Sequence, residues 1–331
     1  MKRLSQSILE SMTGTFLDLF SNVNDDVISA ATQANPWFTS YYIQFSQQAI
    51  RNWFVDSRFF SFASQYNIDR DKPAKRVGII MAGNVPWVGL HDLIMCWVSG
   101  NQAIVKPASQ DRVLMEWFIS SAVSKIPALQ SYVQIVDKLP EVDFVLATGS
   151  NNSARYFNHH FERTPKVIRH NRFSVAIVDK NTSPKQLREM AKDLFLHNGL
   201  GCRNVSNVVI SDGINPQEVW KIWEDESLDW LNPLYLKKVQ MEKAKLKMNQ
   251  SDFFSGQSFI VQESSSISST PMGIFNLIRL ENEEKLVALL AEEQDNIQCV
   301  VGREVAYGKT QVPDLADFAD NVDSLKLLID L

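Results

Sequence analysis

Three short apolar runs, at residues 77–81, 103–106 and 144–147, constrain the fold of this chain more than any other feature. Each is rich in Val and Ile or flanked by them, and each is followed by a polar or glycine-bearing turn. Apolar residues at helical spacing follow in turn, over 88–99, 112–125 and 151–159. Unbroken apolar strands, as opposed to alternating ones, are covered on both faces, which is the condition of a parallel sheet. Strands alternating with helices therefore predict an α/β protein with a parallel, doubly wound sheet. Ligands of such sheets bind at the carboxyl ends of the strands. Asn84, Lys106 and the turn Thr148-Gly149-Ser150 all fall at predicted strand ends. Each also has a plain reading. The Gly-Ser turn can be a helix cap or a cradle for phosphate, Lys106 a solvated strand end, and Asn84 a turn residue bonded to its own backbone. No G-x-G-x-x-G motif occurs, so the usual dinucleotide fingerprint is missing.

A second feature lies further on. Thr182-Ser183-Pro184 reads as an N-cap with proline in the first turn, and Leu187, Met190, Ala191, Leu194 and Phe195 mark one face of a helix ending near His197. Asn198-Gly199-Leu-Gly201-Cys202 follows, and then a strand over 205–210. A cysteine on a glycine-framed turn is reachable from outside, so Cys202 is the candidate nucleophile. An unshifted thiol is only a few per cent thiolate at neutral pH. Arg203, His197 and local backbone amides are the candidates for stabilising the anion. Cys96 and Cys299 sit in apolar segments and read as core. His91, His159 and His160 show no metal-ligand spacing with cysteines or carboxylates, so no metal is expected.

Composition narrows the classes. A formal net charge of -5 over 331 residues argues against nucleic-acid binding, which needs a basic surface. Three widely spaced cysteines make no disulfide framework, and reduced thiols fit a cytoplasmic setting. No run of about twenty apolar residues predicts a membrane span, and no secretory leader is expected behind Met1.

The first seventy residues carry two helical patterns: Ile8 to Phe20, and a second introduced by Asn35-Pro36 and bearing Trp37, Phe38, Tyr41, Tyr42, Phe45, Ala49 and Trp53. That aromatic face is either core or the wall of a channel for a fatty chain. Residues 216–249 read as largely helical, and the lysines between 237 and 247 as a solvated face or a contact for phosphate or an acidic carrier. Strand-like 273–280 and helical 281–294 follow. The apolar end from Ser324 docks on the domain or on another subunit, which is compatible with a homo-oligomer.

Five segments, in order, resemble the aldehyde dehydrogenase superfamily and, more narrowly, the LuxC-type acyl-CoA reductases. They are Gly83-Asn84-Val85-Pro86, Gly100-Asn101-Gln-Ala-Ile-Val-Lys106-Pro107, Ala147-Thr148-Gly149-Ser150, Asn198-Gly199-Leu-Gly201-Cys202, and the tail from Pro313 to Leu325. The resemblance implies an aldehyde-dehydrogenase-like fold: a parallel Rossmann-like cofactor domain plus a second α/β catalytic domain. The expected divisions are 1–178, 179–305 and a carboxyl-terminal segment, 306–331. It implies Cys202 as nucleophile and Asn84 as oxyanion donor. Lys106 would meet the cofactor ribose, and Thr148, Gly149 and Ser150 its phosphates. Two departures matter. The region matching the family's Glu-Leu-Gly-Gly segment, 169–174, offers no carboxylate to activate water, which favours reduction of a thioester. The ribose-binding glutamate three residues after the lysine is replaced by Ser109, which removes repulsion against a 2′-phosphate and favours NADPH over NADH. The expected activity is reduction of an acyl thioester, with acyl-CoA or an acyl-carrier or acyl-transfer protein as donor. An acyl-phosphate reductase of the same fold, a non-redox cysteine acyltransferase and a noncatalytic partner subunit remain as alternatives.

Overall fold

The computed structural model describes residues 2–226 and 230–331. The chain divides into two compact units, Met1–Asn171 with Pro313–Leu331, and Arg172–Val312.

In the first unit the helices α1 (Gln6–Ser21), α2 (Asp25–Ala34), α3 (Ser40–Arg51) and α4 (Arg58–Ala63) precede the sheet. The alternating part runs β1 (Arg76–Ile80), α5 (Leu90–Val98), β2 (Gln102–Lys106), α6 (Arg112–Lys125), β3 (Val133–Ile135), β4 (Phe144–Thr148), α7 (Asn151–His160) and β5 (Lys166–Arg169). The sheet order is β3-β2-β1-β4-β5, with every pairing parallel. The chain reverses its direction of travel between β1 and β4, and the crevice for a ligand in such a sheet opens at that point. Nearly every side chain of α5 is buried, as expected of a helix covered on all sides.

The amino-terminal helices supply its cover. Phe16 packs on Phe118 at 5.1 Å between ring centroids and on Trp97 at 6.0 Å, and Phe20 meets Trp87 edge-on at 5.5 Å. Phe38, Tyr42, Ala49 and Trp53 are buried, whereas Trp37 and Phe45 are half-buried and Tyr41 is exposed, so the aromatic face is divided between core and surface. Asn35-Pro36 does not begin a helix. Asn35 closes α2, and α3 starts at Ser40 with Thr39 as its cap, accepting from the Tyr42 N–H at 3.1 Å. Asn35 does accept from the Trp37 N–H two residues on, as a cap would, and donates to the Gln110 carbonyl, but the turn it begins does not extend into a helix.

The second unit runs β6 (Phe173–Val178), α8 (Pro184–Phe195), β7 (Val205–Ser211), α9 (Pro216–Glu226), α10 (Pro233–Met248), β8 (Phe254–Ser255), β9 (Ile260–Glu263), β10 (Ile274–Leu280), α11 (Glu283–Glu292) and β11 (Ile297–Val301). Its sheet order is β11-β6-β7-β10-β9-β8, parallel except for the β8–β9 pair. Within the stretch predicted as helical from 216 to 249, residues 227–229 lie outside the described residues. The chain then returns to the first unit through α12 (Ser324–Ile329). Leu315, Phe318, Leu325 and Leu328 join the core of that unit. Asn101 donates to the Leu328 carbonyl at 2.7 Å and Trp53 to that of Pro313 at 2.8 Å.

The units part at 171/172 and 312/313, whereas the sequence predicts 178 and 305. The first shift has a direct cause: β6 pairs with β7 and β11 of the second sheet. The second arises because Asp193 of α8 accepts hydrogen bonds from Gly308 N and Thr310 N at 2.6 and 3.0 Å, holding 308–310 in the second unit.

One buried group stands out in the first unit. Asp111 precedes α6 with neither carboxyl oxygen completing a hydrogen bond. Burial raises its pKa well above the ordinary value, and the nearby Trp87 N–H offsets only part of that. A folded-state pKa above the unfolded one contributes stability below the unfolded value and loses it as pH rises through the folded one. Asp111→Asn should therefore raise the melting temperature at pH 8 by about 2–4 °C and leave it unchanged or lower at pH 4. Thermal melts across that range check the sign.

Candidate active site

The sheet edge of the first unit is set by its register. Lys106, Ile80, Ala147 and Ile168 form one row across β2, β1, β4 and β5. Residues just past that row emerge together at the carboxyl edge. Gly83 is buried in the turn after β1, where a side chain would come within 2.7 Å of the Ala108 Cβ. The Asn84 turn thus packs directly on the turn carrying Ser109. Asn84 and Lys106 are partly exposed and Ser109 is exposed. Trp87, in the same turn, is buried with a φ of 55° and donates its indole N–H to the Leu114 carbonyl. A buried aromatic in a left-handed conformation is strained backbone held by its surroundings.

At the end of β4, Thr148 stands opposite Arg169 of β5. A side chain on Gly149 would meet the Ser153 Cβ at 2.8 Å, so α7 approaches this turn closely. The Gly149 N–H bonds to the Arg169 carbonyl at 3.2 Å. The Ser150 hydroxyl accepts from the Ser153 N–H as the cap of α7. Both groups are therefore engaged, and what the helix start offers a ligand is the first-turn N–H groups that a helix leaves unbonded. Behind the turn, Arg169 Nη1 donates to both oxygens of Asp92 at 2.8 and 2.6 Å, with both side chains buried. The stretch 169–174 holds no carboxylate, and Arg169 is committed to this pair.

Cys202 belongs to the second unit. Ser183 and Gln186 form a capping box that starts α8 with Pro184 in its first turn. The helix ends at Phe195, and His197, Asn198 and Gly199 follow with φ values of 53°, 60° and 66°. Two consecutive non-glycine residues in the left-handed region cost about 1–3 kcal/mol each. The Asn204 carboxamide offsets that cost. Its Nδ2 donates to the carbonyls of Leu196 and Asp193 at 3.0 and 3.1 Å, and its Oδ1 accepts from the Gly201 N–H at 2.8 Å. Cys202 sits partly exposed between these anchors. Its carbonyl accepts from the Ser174 hydroxyl at 3.0 Å, and that hydroxyl also lies 3.2 Å from the Cys299 sulfur.

Electrostatics divides the predicted helpers of Cys202. Burial drives the His197 imidazole down to about 3, so it is neutral and supplies no charge to a thiolate, contrary to its candidate role. The Arg203 charge acts on the neighbouring Cys299 and lowers its pKa, although burial dominates and carries that thiol up to about 11. Cys299 is buried, as predicted, yet it adjoins the Cys202 loop. Ser174, Asn204 and Cys299 are the site residues that sequence reading misses. All six residues of β6 are buried, so no alternation singles out Ser174. Among the described residues no group of three or more His, Cys, Asp or Glu side chains is arranged to hold a metal, and no helix is long and apolar enough to cross a membrane.

The LuxC family, described as acyl-CoA reductase, matches residues 61–266. The chain belongs to the LuxC family. No curated protein sequence matches significantly. Solved structures give the fold. Aldehyde dehydrogenase 21 from Physcomitrella patens, in complex with succinate, aligns with a TM-score of 0.67 at 11% identity, over 91% of this chain and 74% of its own. Aldehyde dehydrogenase KauB from Pseudomonas aeruginosa aligns with a TM-score of 0.65 at 12% identity, over 90% and 76%. A Mycobacterium tuberculosis aldehyde dehydrogenase complexed with NAD+ gives 0.62 at 14%, over 84% and 69%. This LuxC member thus has the aldehyde dehydrogenase fold, with the Asn84, Lys106 and Thr148–Ser150 turns on one sheet edge of the first unit and Cys202 in the second.

Removing Arg169 alone leaves Asp92 buried without its cation. Arg169→Met should cost about 3–5 kcal/mol, and pairing it with Asp92→Leu should recover most of the loss. Denaturant unfolding of both variants measures this. Equal stability of the single and the double variant contradicts the ion-pair account.

Proposed function

We propose that this LuxC member reduces an acyl thioester to the aldehyde through an acyl group carried on Cys202, using NADPH. The observation that carries the reading is the pairing of two features. A partly exposed cysteine sits on a backbone tied down on both sides. The segment that supplies a water-activating glutamate in aldehyde oxidisers instead gives Arg169 to a buried ion pair and Ser174 to the Cys202 loop. An acyl-cysteine that meets no activated water survives until it is reduced.

In this mechanism the Cys202 thiolate attacks the carbonyl carbon, and the bond to the carrier sulfur breaks. The carrier leaves as a thiol after taking a proton. The side-chain amide of Asn84 and the Cys202 N–H are the proposed donors to the oxyanion, and one such donor is worth about 3–4 kcal/mol in comparable sites. The reduced nicotinamide, when bound, supplies the hydride that turns the acyl group into a thiohemiacetal. Collapse of that adduct breaks the carbon–sulfur bond, frees the aldehyde and returns Cys202. Lys106 and the first-turn N–H groups of α7 would hold the cofactor's ribose and phosphates. The crowded Gly149 turn fits this use, because it lets helix and strand end approach closely beside the crevice. Ser109 is exposed at the same edge and puts no negative charge there to repel a 2′-phosphate.

Incubation with a labelled acyl-CoA should label Cys202, and addition of NADPH should release aldehyde in step with loss of label. Cys202→Ala should abolish both. Turnover by that variant, or label that leaves only by hydrolysis, would sink the reading.

Ser109→Glu should reduce kcat/KM for NADPH by about tenfold or more through charge repulsion while sparing NADH. An unchanged ratio of the two would remove Ser109 from the selection of cofactor.

A further inference from the structure

Cys299 and Ser174 are both buried, and acyl transfer as described uses neither. Their arrangement is nevertheless directional. The Ser174 hydroxyl has one proton, and the Cys202 carbonyl can only accept it. The second contact of that hydroxyl, to the Cys299 sulfur, must therefore be made with the thiol as donor. Burial keeps the thiol protonated for this purpose. The result is a chain from the Cys299 S–H through the Ser174 O–H to the Cys202 C=O. Successive bonds in such a chain polarise and strengthen one another.

The strands are shaped to make it. The β6–β7 pairing shifts register between Ser174 and Val175, and the β11–β6 pairing shifts between Ile297 and Val300, the interval that contains Cys299. Bulges re-aim side chains beside active sites. Here two register shifts on adjacent pairings fall where the hydroxyl and the thiol meet. The Ser174 N–H also bonds to the Asn204 carbonyl at 3.2 Å, so one residue of β6 grips the loop at Cys202 and two residues beyond it.

We propose that Ser174 and Cys299 are positioning residues for Cys202, acting as a hydrogen-bond relay that fixes the plane of the Cys202–Arg203 peptide and so the aim of the Cys202 thiol. The proposal rests on the reading of Cys202 as the nucleophile. It extends that reading to a buried thiol that would otherwise be filler.

The test uses the full chain and two measurements: the rate of Cys202 alkylation by iodoacetamide, followed by peptide mass analysis, and the rate of acyl-enzyme formation from acyl-CoA. Ser174→Ala should slow both by about tenfold, the equivalent of one hydrogen bond, with KM for NADPH unchanged. Cys299→Ala should slow them about threefold, and Cys299→Ser, which keeps a donor, should restore the wild-type rates. Because the two residues act in series, Ser174→Ala with Cys299→Ala should be no slower than Ser174→Ala alone. The pH midpoint of alkylation should stay where it is, since the relay acts on position and not on charge. Wild-type rates in a folded Ser174→Ala, multiplicative losses in the double variant, or a shifted midpoint with an unchanged plateau would each overturn the proposal. Should Ser174→Ala not fold, equal rates in Cys299→Ala and Cys299→Ser would overturn it as well. Wild-type protein that alkylates at Cys202 but forms no acyl-enzyme defeats the reductase reading and leaves the relay standing on the alkylation arm.

Discussion

Parallel pairing is the constraint on which both units depend. A strand that must lie beside another in the same direction needs a crossover, and the loops after β1, β2 and β4 each connect a strand end to a helix start. In the first unit the row of Lys106, Ile80, Ala147 and Ile168 fixes where those loops leave the sheet. Asn84, Ser109 and the 148–150 turn share one edge because of that register and not because of anything in their own side chains. Among the described strands the antiparallel pair, β8 with β9, sits at the far edge of the second sheet, where it closes the order without interrupting the parallel strands.

The strongly apolar strands and the capped helices were legible in the sequence for physical reasons. Val77 to Ile80 and Phe144 to Ala147 are continuous because both faces are covered, and Arg112–Lys125 is a helix with the predicted bounds. Ser183 and Pro184 mark a start that local chemistry alone dictates. Less was legible where tertiary packing decides. β3 and β5 are only three and four residues long, too short for a pattern. β6 is assigned no strand from the sequence, and its sheet is chosen by partners far along the chain, which is why the division falls before it. Asn35-Pro36 carries the residues of a helix start and serves as a helix end.

At the candidate site the sequence shows which residues stand on turns and says little about what holds them. Gly199 and Gly201 mark the Cys202 loop, yet Asn204 and Ser174 make the bonds that shape it. A neutral amide and a hydroxyl carry no pattern of charge or hydrophobicity, so their roles emerge only with the fold. His197 shows the opposite failure. Its titratable ring, five residues before the cysteine, suggests a charge partner, while its burial keeps it neutral. Cys299 looks like an inert core residue and does lie in the core, but one hydrogen bond connects it to the hydroxyl that touches the Cys202 carbonyl.

The return of residues 313–331 to the first unit makes that unit discontinuous, with the second inserted as an unbroken stretch. During synthesis the second unit has all its strands once residue 312 has emerged, whereas the first still lacks Leu315, Phe318, Leu325 and Leu328 of its core. Domains tend to close as their segments become available. The unit that carries Cys202 can thus finish folding before the unit translated ahead of it. Until then the aromatic core around Trp97 and Phe118 has an open side, and the last nineteen residues act as its latch.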